Sequence, residues 1–432
     1  MFNINQLNKN IISGSLVHGL NILVALVSYP LFIKYLGFEL FSVWTLLSVI
    51  VSFASMGDFG MGKAIIYYIS KAKTENNYER IQSIIMNSIV FLILVSVILQ
   101  IIIFTTKQSV AEFLAIPLIY IKQSVDVIPL IGLSVVTFLI YDCFSAVITG
   151  IGRIDISNSL LLLLNITKVA VTVTLLSINP SLESMAYGIL LTNFFFIGIM
   201  LFLLSKKSII SKFIFPNISV NVIKEIIKYG MPVFGIQVLN MLMFPIIKIV
   251  ISKFFGITHV GFFELATKAA YAIRTLFEKG LFALLPEYAN IFYAQNDNSS
   301  RSVELVRKVK YTTFKLLYFG VSVFVLFSIF SPILLKIWLG VNYCKEILYG
   351  FLLLQPGIIT GLLALPSYYA LMATNRQYIC FNEALIRTIL TNLFLLLFFL
   401  NLNYLFVFIF VSLSVVLSNA YVIYTFFKRV NL

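Results

Sequence analysis

The sequence predicts an all-α polytopic membrane protein: twelve transmembrane helices in two pseudo-symmetric six-helix bundles, with both termini cytoplasmic. Three observations predict it. Of 432 residues, 60% are hydrophobic and 11% charged, with mean hydropathy +1.01, whereas soluble domains hold about 45–50% apolar and about 25% charged residues. The apolar residues fall in continuous runs of about 20, the length a bilayer demands of a helix. A barrel would instead alternate in short strands, and only helices and closed barrels satisfy their backbone in lipid. Finally, the two halves of the chain echo one another at a near-constant lag, as a duplicated unit does.

The elements follow in order. Only Lys9 precedes the first apolar run, 11–33; the run outlasts a signal h-region and lacks an A-x-A site, so it reads as a retained span. The stretch "KYLGFELFS" (Lys34–Ser42) is the first outward turn: Gly37 permits a sharp reversal, and Lys34 can snorkel to the head groups. Spans over 40–57, 81–105, 128–149, 157–178 and 185–204 complete the first bundle, residues 1–204. A basic segment, 205–228, tethers it on the cytoplasmic side to the second bundle, 229–432. That bundle has spans over 230–252, 259–281, 311–330, 347–371, 379–399 and 404–427.

The echoes support the duplication. "KFFGITHVG" from Lys253 repeats "KYLGFELFS", pairing Gly256 with Gly37 at a lag of 219. Gly230 and Gly235 answer Gly14 and Gly19 at 216, and Arg376 answers Arg153 at 223. Half the chain length is 216. Six spans per unit is an even number, so both halves enter from the same side and are related by an axis along the membrane normal.

Orientation follows from Lys and Arg in the connections. With a cytoplasmic N-terminus, eighteen fall inside and six outside (Lys34, Lys107, Lys122, Lys253, Lys336 and Lys345). The net charge of +14 is therefore mostly topological, and no basic face on a soluble domain suggests a nucleic-acid partner. The three cysteines, Cys143, Cys344 and Cys380, are too scattered for a metal or redox motif. "GDFGMGKA" (Gly57–Ala64) nearly matches a phosphate loop, but Ala64 removes the magnesium-binding hydroxyl and a membrane span precedes it. No metal cluster, Ser-His-Asp set or Cys-His pair appears, so neither a catalytic site nor a cofactor is expected.

Polar residues at bilayer depth usually face a cavity or a partner. Asn165, Lys168 and Thr172 share one face of the fifth span by i, i+3, i+7 spacing. The seventh carries Gln237, Asn240 and Lys248; the eighth carries Glu264, Lys268, Tyr271 and Thr275 on one face, with Arg274 and Glu278 beside it. The eleventh has Glu383 and Arg387, the first His18 and Asn21, the fourth Asp142. Glu264–Lys268, Arg274–Glu278 and Glu383–Arg387 stand four apart and could neutralise each other internally; Lys168 has no charge at i±3 or i±4. Lys168, Lys248, Lys268, Arg274 and Arg387, with Asn165, Gln237 and Asn240, are the expected cavity lining. Such a cationic surplus suits an anion, phosphate above all. Asp142, Glu264 and His18 are candidates for ion coupling.

The stretches "YPLFIKYLGFELFSVWTLL", "MGDFGMGKAIIYYIS", "FFGITHVGFFELATKAAYAI" and "LLKIWLG" resemble the Wzx-type polysaccharide flippases, which carry lipid-linked O-antigen or capsule repeat units. Those proteins belong with the multidrug exporters and peptidoglycan-precursor flippases in one superfamily. The glycine turn at Gly37 and the Asp58–Gly60 segment are the most characteristic features, and with Arg153 and Gly256 they are expected to act in turns and conformational change. The resemblance implies two facing bundles around a cationic cavity in the bacterial cytoplasmic (inner) membrane. It implies a cargo of oligosaccharide on undecaprenyl diphosphate, with polysaccharide polymerase and chain-length machinery as possible partners beyond membrane lipid.

The expected function is thus a flippase working by alternating access. A small-molecule or multidrug exporter would want an acid-dominated pocket, which the charges disfavour. A multi-span polymerase would want catalytic groups on a large outward loop, and the longest one expected, 106–127, holds only Lys107, Glu112, Lys122 and Asp126 as charges.

Overall fold

A computed structural model describes residues 4–206, 218–281, 284–294, 298–374, 376–397 and 402–430. It is helical throughout, with no strand among the described residues. The helices are α1 (Ile4–Leu36), α2 (Phe38–Ser55), α3 (Met61–Thr74), α4 (Tyr78–Phe113), α5 (Leu118–Gly150), α6 (Ile154–Ile178), α7 (Leu182–Lys206) and α8 (Val220–Phe255). They continue with α9 (Ile257–Leu281), α10 (Leu284–Ala294), α11 (Asn298–Lys315), α12 (Val321–Leu339), α13 (Lys345–Ala373), α14 (Gln377–Leu396) and α15 (Phe406–Val430).

The chain forms two compact units, Met1–Pro245 with Gly256–Thr258, and Ile246–Phe255 with His259–Leu432. The helix α8 contributes to both. Residues 207–217 of the expected basic tether lie outside the described residues, while Val220 to Lys228, also expected there, form the first turns of α8.

Eleven segments among the described residues are long and apolar enough to cross a membrane. The remaining expected span, the eighth at 259–281, is helical as α9, but Glu264, Lys268, Arg274, Glu278 and Lys279 make it too polar to qualify by composition. Several helices run beyond the expected spans. Apart from residues 114–117, the connection expected over 106–127 is helix, because α4 continues to Phe113 and α5 begins at Leu118. A helix keeps its backbone bonds satisfied past the hydrocarbon edge, so polar residues there need not end it. The expected span 311–330 lies in a longer run in which a π-helical turn, Leu316–Gly320, joins α11 to α12. Leu94, Ile98, Ile101 and Phe104 on α4 are more than half exposed, an apolar face suited to lipid.

Local chemistry sets the turns. Gly37 (φ 77) separates α1 from α2, and Gly256 (φ 87) separates α8 from α9. Side chains are strained in that region, so the same residue at the same point of each half gives the same reversal. Arg153 (φ −100, ψ 56) and Arg376 (φ −104, ψ 38) likewise precede α6 and α14. Asn77 starts α4 as an N-cap, its Oδ1 accepting the Arg80 N–H at 2.9 Å.

Lipid tails are as apolar as leucine, so helices in membranes associate by close approach and polar contacts. Thr172 of α6 packs on Gly188 of α7, where a Cβ would lie 2.2 Å from the threonine Oγ1. Asn193 of α7, fully buried, donates to the Ser134 carbonyl of α5 at 2.9 Å and to Thr137 Oγ1 at 3.2 Å.

Candidate functional site

The close packing of α6 on α7 leaves a chamber of about 260 Å³ within the first unit, walled by α1, α2, α6 and α7. Lys168, midway along α6, reaches into it beside Asn165 and Thr172. Asn165 Nδ2 donates to Asn21 Oδ1 of α1 at 2.9 Å. Thr172 is fully buried and its Oγ1 has no hydrogen-bond partner. Trp44 of α2 and Phe32 of α1 supply aromatic wall. No carboxylate approaches Lys168 within 4 Å among the described residues.

The second unit treats its cations differently. Lys248 Nζ lies 2.8 Å from Glu264 Oε2, both residues buried, and Lys268 Nζ lies 3.6 Å from Glu264 Oε1. One carboxylate thus faces two ammonium groups, one of them half-exposed. Arg274 Nε is 3.9 Å from Glu278 Oε2, and its guanidinium sits 5.7 Å from the Tyr271 ring centroid. Arg387 Nη1 is 3.6 Å from Glu383 Oε1, which also accepts the Ser418 hydroxyl at 2.9 Å. Separations of 3.6–3.9 Å are charge proximities rather than hydrogen bonds. All four cations of this unit that the sequence assigned to a cavity therefore have a carboxylate within 4 Å. Of the five cations expected to line a cavity, Lys168 has no such carboxylate among the described residues.

A model of the family described as "Polysaccharide biosynthesis protein" matches residues 7–291, more than half of the chain. The chain belongs to this polysaccharide biosynthesis protein family. Its fold is shared by solved transporters described as MOP-superfamily members. An inward-facing multidrug resistance MATE transporter of that superfamily superposes with TM-score 0.76 at 12% identity, covering 95% of this chain and 94% of the other. The lipid II flippase MurJ, in an inward closed conformation, gives 0.78 at 15% identity over 97% and 90%. A MOP transporter from Pyrococcus furiosus, described by the reverse polarity of its binding pocket, gives 0.67 at 12% over 98% and 95%. No curated protein sequence matches the chain.

In this member of the polysaccharide biosynthesis family the remaining expected residues are dispersed. Gln237 lies on α8 and is half-buried; the side chains of His18 and Asn240 lie outside the described residues. Asp142 of α5 faces α3, its Oδ2 3.4 Å from where a Cβ on Gly62 would stand. Asp58 accepts the Gly60 N–H at 2.9 Å and so stabilises the turn between α2 and α3. Arg153 binds Asp155 through Nε and Nη2, each at 3.0 Å. No group of three metal-ligating side chains occurs among the described residues.

One feature of the first unit has no counterpart in the sequence reading. The turn before α3 crosses α8 backbone to backbone: a Cβ on Gly60 would lie 2.5 Å from the Gly230 carbonyl oxygen, and one on Gly230 2.6 Å from that of Phe59. Phe59, in the left-handed region at φ 48, packs on Phe234 at 5.3 Å. Tyr67 stacks on Tyr229 at 4.5 Å, and Arg80 pairs with Glu225. Gly230 stands out in the sequence as the repeat echo of Gly14, but spacing alone does not say which two glycines meet.

Proposed function

We propose that the protein is a flippase that moves undecaprenyl-diphosphate-linked oligosaccharide repeat units, of O-antigen or capsule type, across the bacterial cytoplasmic membrane by alternating access. The observation that carries this reading is Lys168: an ammonium halfway along a membrane helix, in a largely apolar chamber it shares with Asn21 and Asn165, with no carboxylate within 4 Å among the described residues. A cation at the bilayer centre costs about 2.5–3.5 kcal/mol even on insertion scales. That cost is offset when an anionic ligand arrives, so an unneutralised lysine is a device for binding rather than for folding. The match to the polysaccharide biosynthesis family supports a glycan cargo.

In this reading the diphosphate and sugars enter from the cytoplasmic leaflet while the polyprenyl tail stays in lipid. Both termini are cytoplasmic, by the excess of Lys and Arg on that side. Polymerase and chain-length proteins take the product on the outer face. A MATE-like exporter of small cations has the same fold, but it would want an unpaired carboxylate where this chamber presents a lysine.

The test is a deletion strain complemented with the wild type or with Lys168→Ala. Lipid-linked units should accumulate on the cytoplasmic leaflet in the deletion and with Lys168→Ala, and clear with the wild type. Normal flipping with defective chain lengthening would instead make the protein a polymerase. Loss of cation efflux alone would make it an exporter.

A further inference from the structure

We infer that the chamber around Lys168 is a subsite for a single carboxylate-bearing sugar ring, a hexuronic acid or its equivalent, so that the repeat unit this protein carries contains an acidic sugar. The inference rests on the flippase reading and names the part of the cargo that the first unit recognises.

Size comes first. At about 260 Å³ the chamber falls just below the roughly 300–1,000 Å³ of sites for drug-sized ligands. At about 30 Å³ per water it has room for roughly eight or nine waters. That seats one ring, with the rest of a repeat unit extending through the open side.

The polar groups then choose among small anions. Lys168 offers donors only and one positive charge. The Asn165–Asn21 hydrogen bond commits Asn165 Nδ2 and Asn21 Oδ1, leaving Asn21 Nδ2 as a donor and Asn165 Oδ1 as an acceptor with no partner among the described residues. Thr172 Oγ1 is fully buried against Gly188 and offers the chamber nothing. A bare pyrophosphate has several negative charges and almost nothing to donate, so one lysine underneutralises it and the amide acceptor goes unused. A uronate matches the set: its single carboxylate takes the ammonium and amide N–H groups, and a ring hydroxyl donates to Asn165 Oδ1. Buried polar groups left without a partner cost about 1–3 kcal/mol each, so the ligand that satisfies both kinds is favoured. The Trp44 indole gives the apolar C–H face of a pyranose a flat surface to lie on, as amphipathic aromatic rings do.

The chain has two tryptophans, Trp44 and Trp338, so Trp338→Phe leaves Trp44 as the sole reporter. The purified full-length protein is titrated with glucuronate, glucose and inorganic pyrophosphate while Trp44 emission is followed. Glucuronate should give a saturable change at a concentration at least tenfold lower than glucose, with pyrophosphate giving none. Lys168→Ala should weaken glucuronate at least tenfold and leave glucose unchanged. Asn165→Leu, which removes the amide acceptor, should weaken it about threefold, and it carries the test if Lys168→Ala does not fold. Equal response to glucose and glucuronate, an unchanged glucuronate response in both variants, saturation by pyrophosphate instead, or no saturable response would each overturn the subsite. Loss of glucuronate binding in a protein that still flips lipid-linked units overturns the subsite alone. Intact binding in a protein whose deletion leaves those units unaffected overturns the flippase reading alone.

Discussion

Lys248 and Glu264 meet at 2.8 Å across α8 and α9, both below a tenth exposed, although they stand sixteen residues apart in sequence. Breaking a buried ion pair strands a charge, which costs about 3–5 kcal/mol, whereas replacing both partners with apolar residues is often neutral. Glu264→Leu, which strands buried Lys248, should therefore lower stability by about that amount, Lys248→Met should cost less because Lys268 stays 3.6 Å from Glu264, the two together should recover most of the loss, and Lys268→Met, which removes the half-exposed partner, should cost about 1 kcal/mol or less. Thermal unfolding in detergent of the wild type, Lys248→Met, Glu264→Leu and their combination, read as a double-mutant cycle with Lys268→Met beside it, checks it.

Gly60 has φ 72 and its missing Cβ would lie 2.5 Å from the Gly230 carbonyl oxygen. Gly60→Ala adds left-handed strain of about 1–2 kcal/mol to overpacking of about 1–3 kcal/mol. It should lower the unfolding temperature clearly in the same thermal assay. Gly62→Ala, whose Cβ meets only Asp142 Oδ2 at 3.4 Å, should change it little.

Lys168 and Arg387 are both deep cations, but only Arg387 faces a buried carboxylate, that of Glu383. Removing Lys168 leaves no orphan charge. Lys168→Met should then keep thermal stability within about 1 kcal/mol while complementation of the deletion strain is lost. Arg387→Met should lose stability by about 3 kcal/mol or more. A Lys168→Met protein that is strongly destabilised would make the lysine a structural residue.

Cys344 precedes α13, outside the membrane-spanning segments, and in the proposed orientation its turn lies on the outer face. Burial, the largest influence, pushes its thiol up from 9 to about 11. A raised thiol is protonated at neutral pH and only the thiolate reacts. Labelling of intact cells with a membrane-impermeant maleimide should therefore be slow at pH 7 and rise about tenfold per pH unit up to pH 9, with no plateau there. Cys143 and Cys380 are buried and should stay silent. Labelling that requires permeabilised cells would reverse the assigned orientation.

Much of this architecture was legible in the sequence because membrane constraints are strong. Runs of apolar residues give helices directly, and the Gly37/Gly256 and Arg153/Arg376 echoes fall at matching turns. The three i, i+4 pairs could be listed from spacing, since a helix fixes which residues are neighbours. Contacts between helices could not. The charge count treated Lys248 as a cavity residue because nothing in spacing shows Glu264 reaching it from the next helix. Asn21 and Asn165 were both singled out, yet only packing joins them. Lys168 is distinguishable for the converse reason: no charge lies at i±3 or i±4, and among the described residues no carboxylate comes within 4 Å of it.

The reading as a flippase of acidic, lipid-linked glycans meets its most direct test in proteoliposomes containing the purified protein. A polyprenyl-diphosphate oligosaccharide is placed in one leaflet, and its exposure to an impermeant glycosidase or oxidant outside is followed against a fluorescent lipophilic cation. Time-dependent movement of the lipid-linked sugar, slowed at least tenfold by Lys168→Ala, with no uptake of the cation, is the expected result. Transport of the cation with the lipid-linked sugar left in its original leaflet would contradict the account.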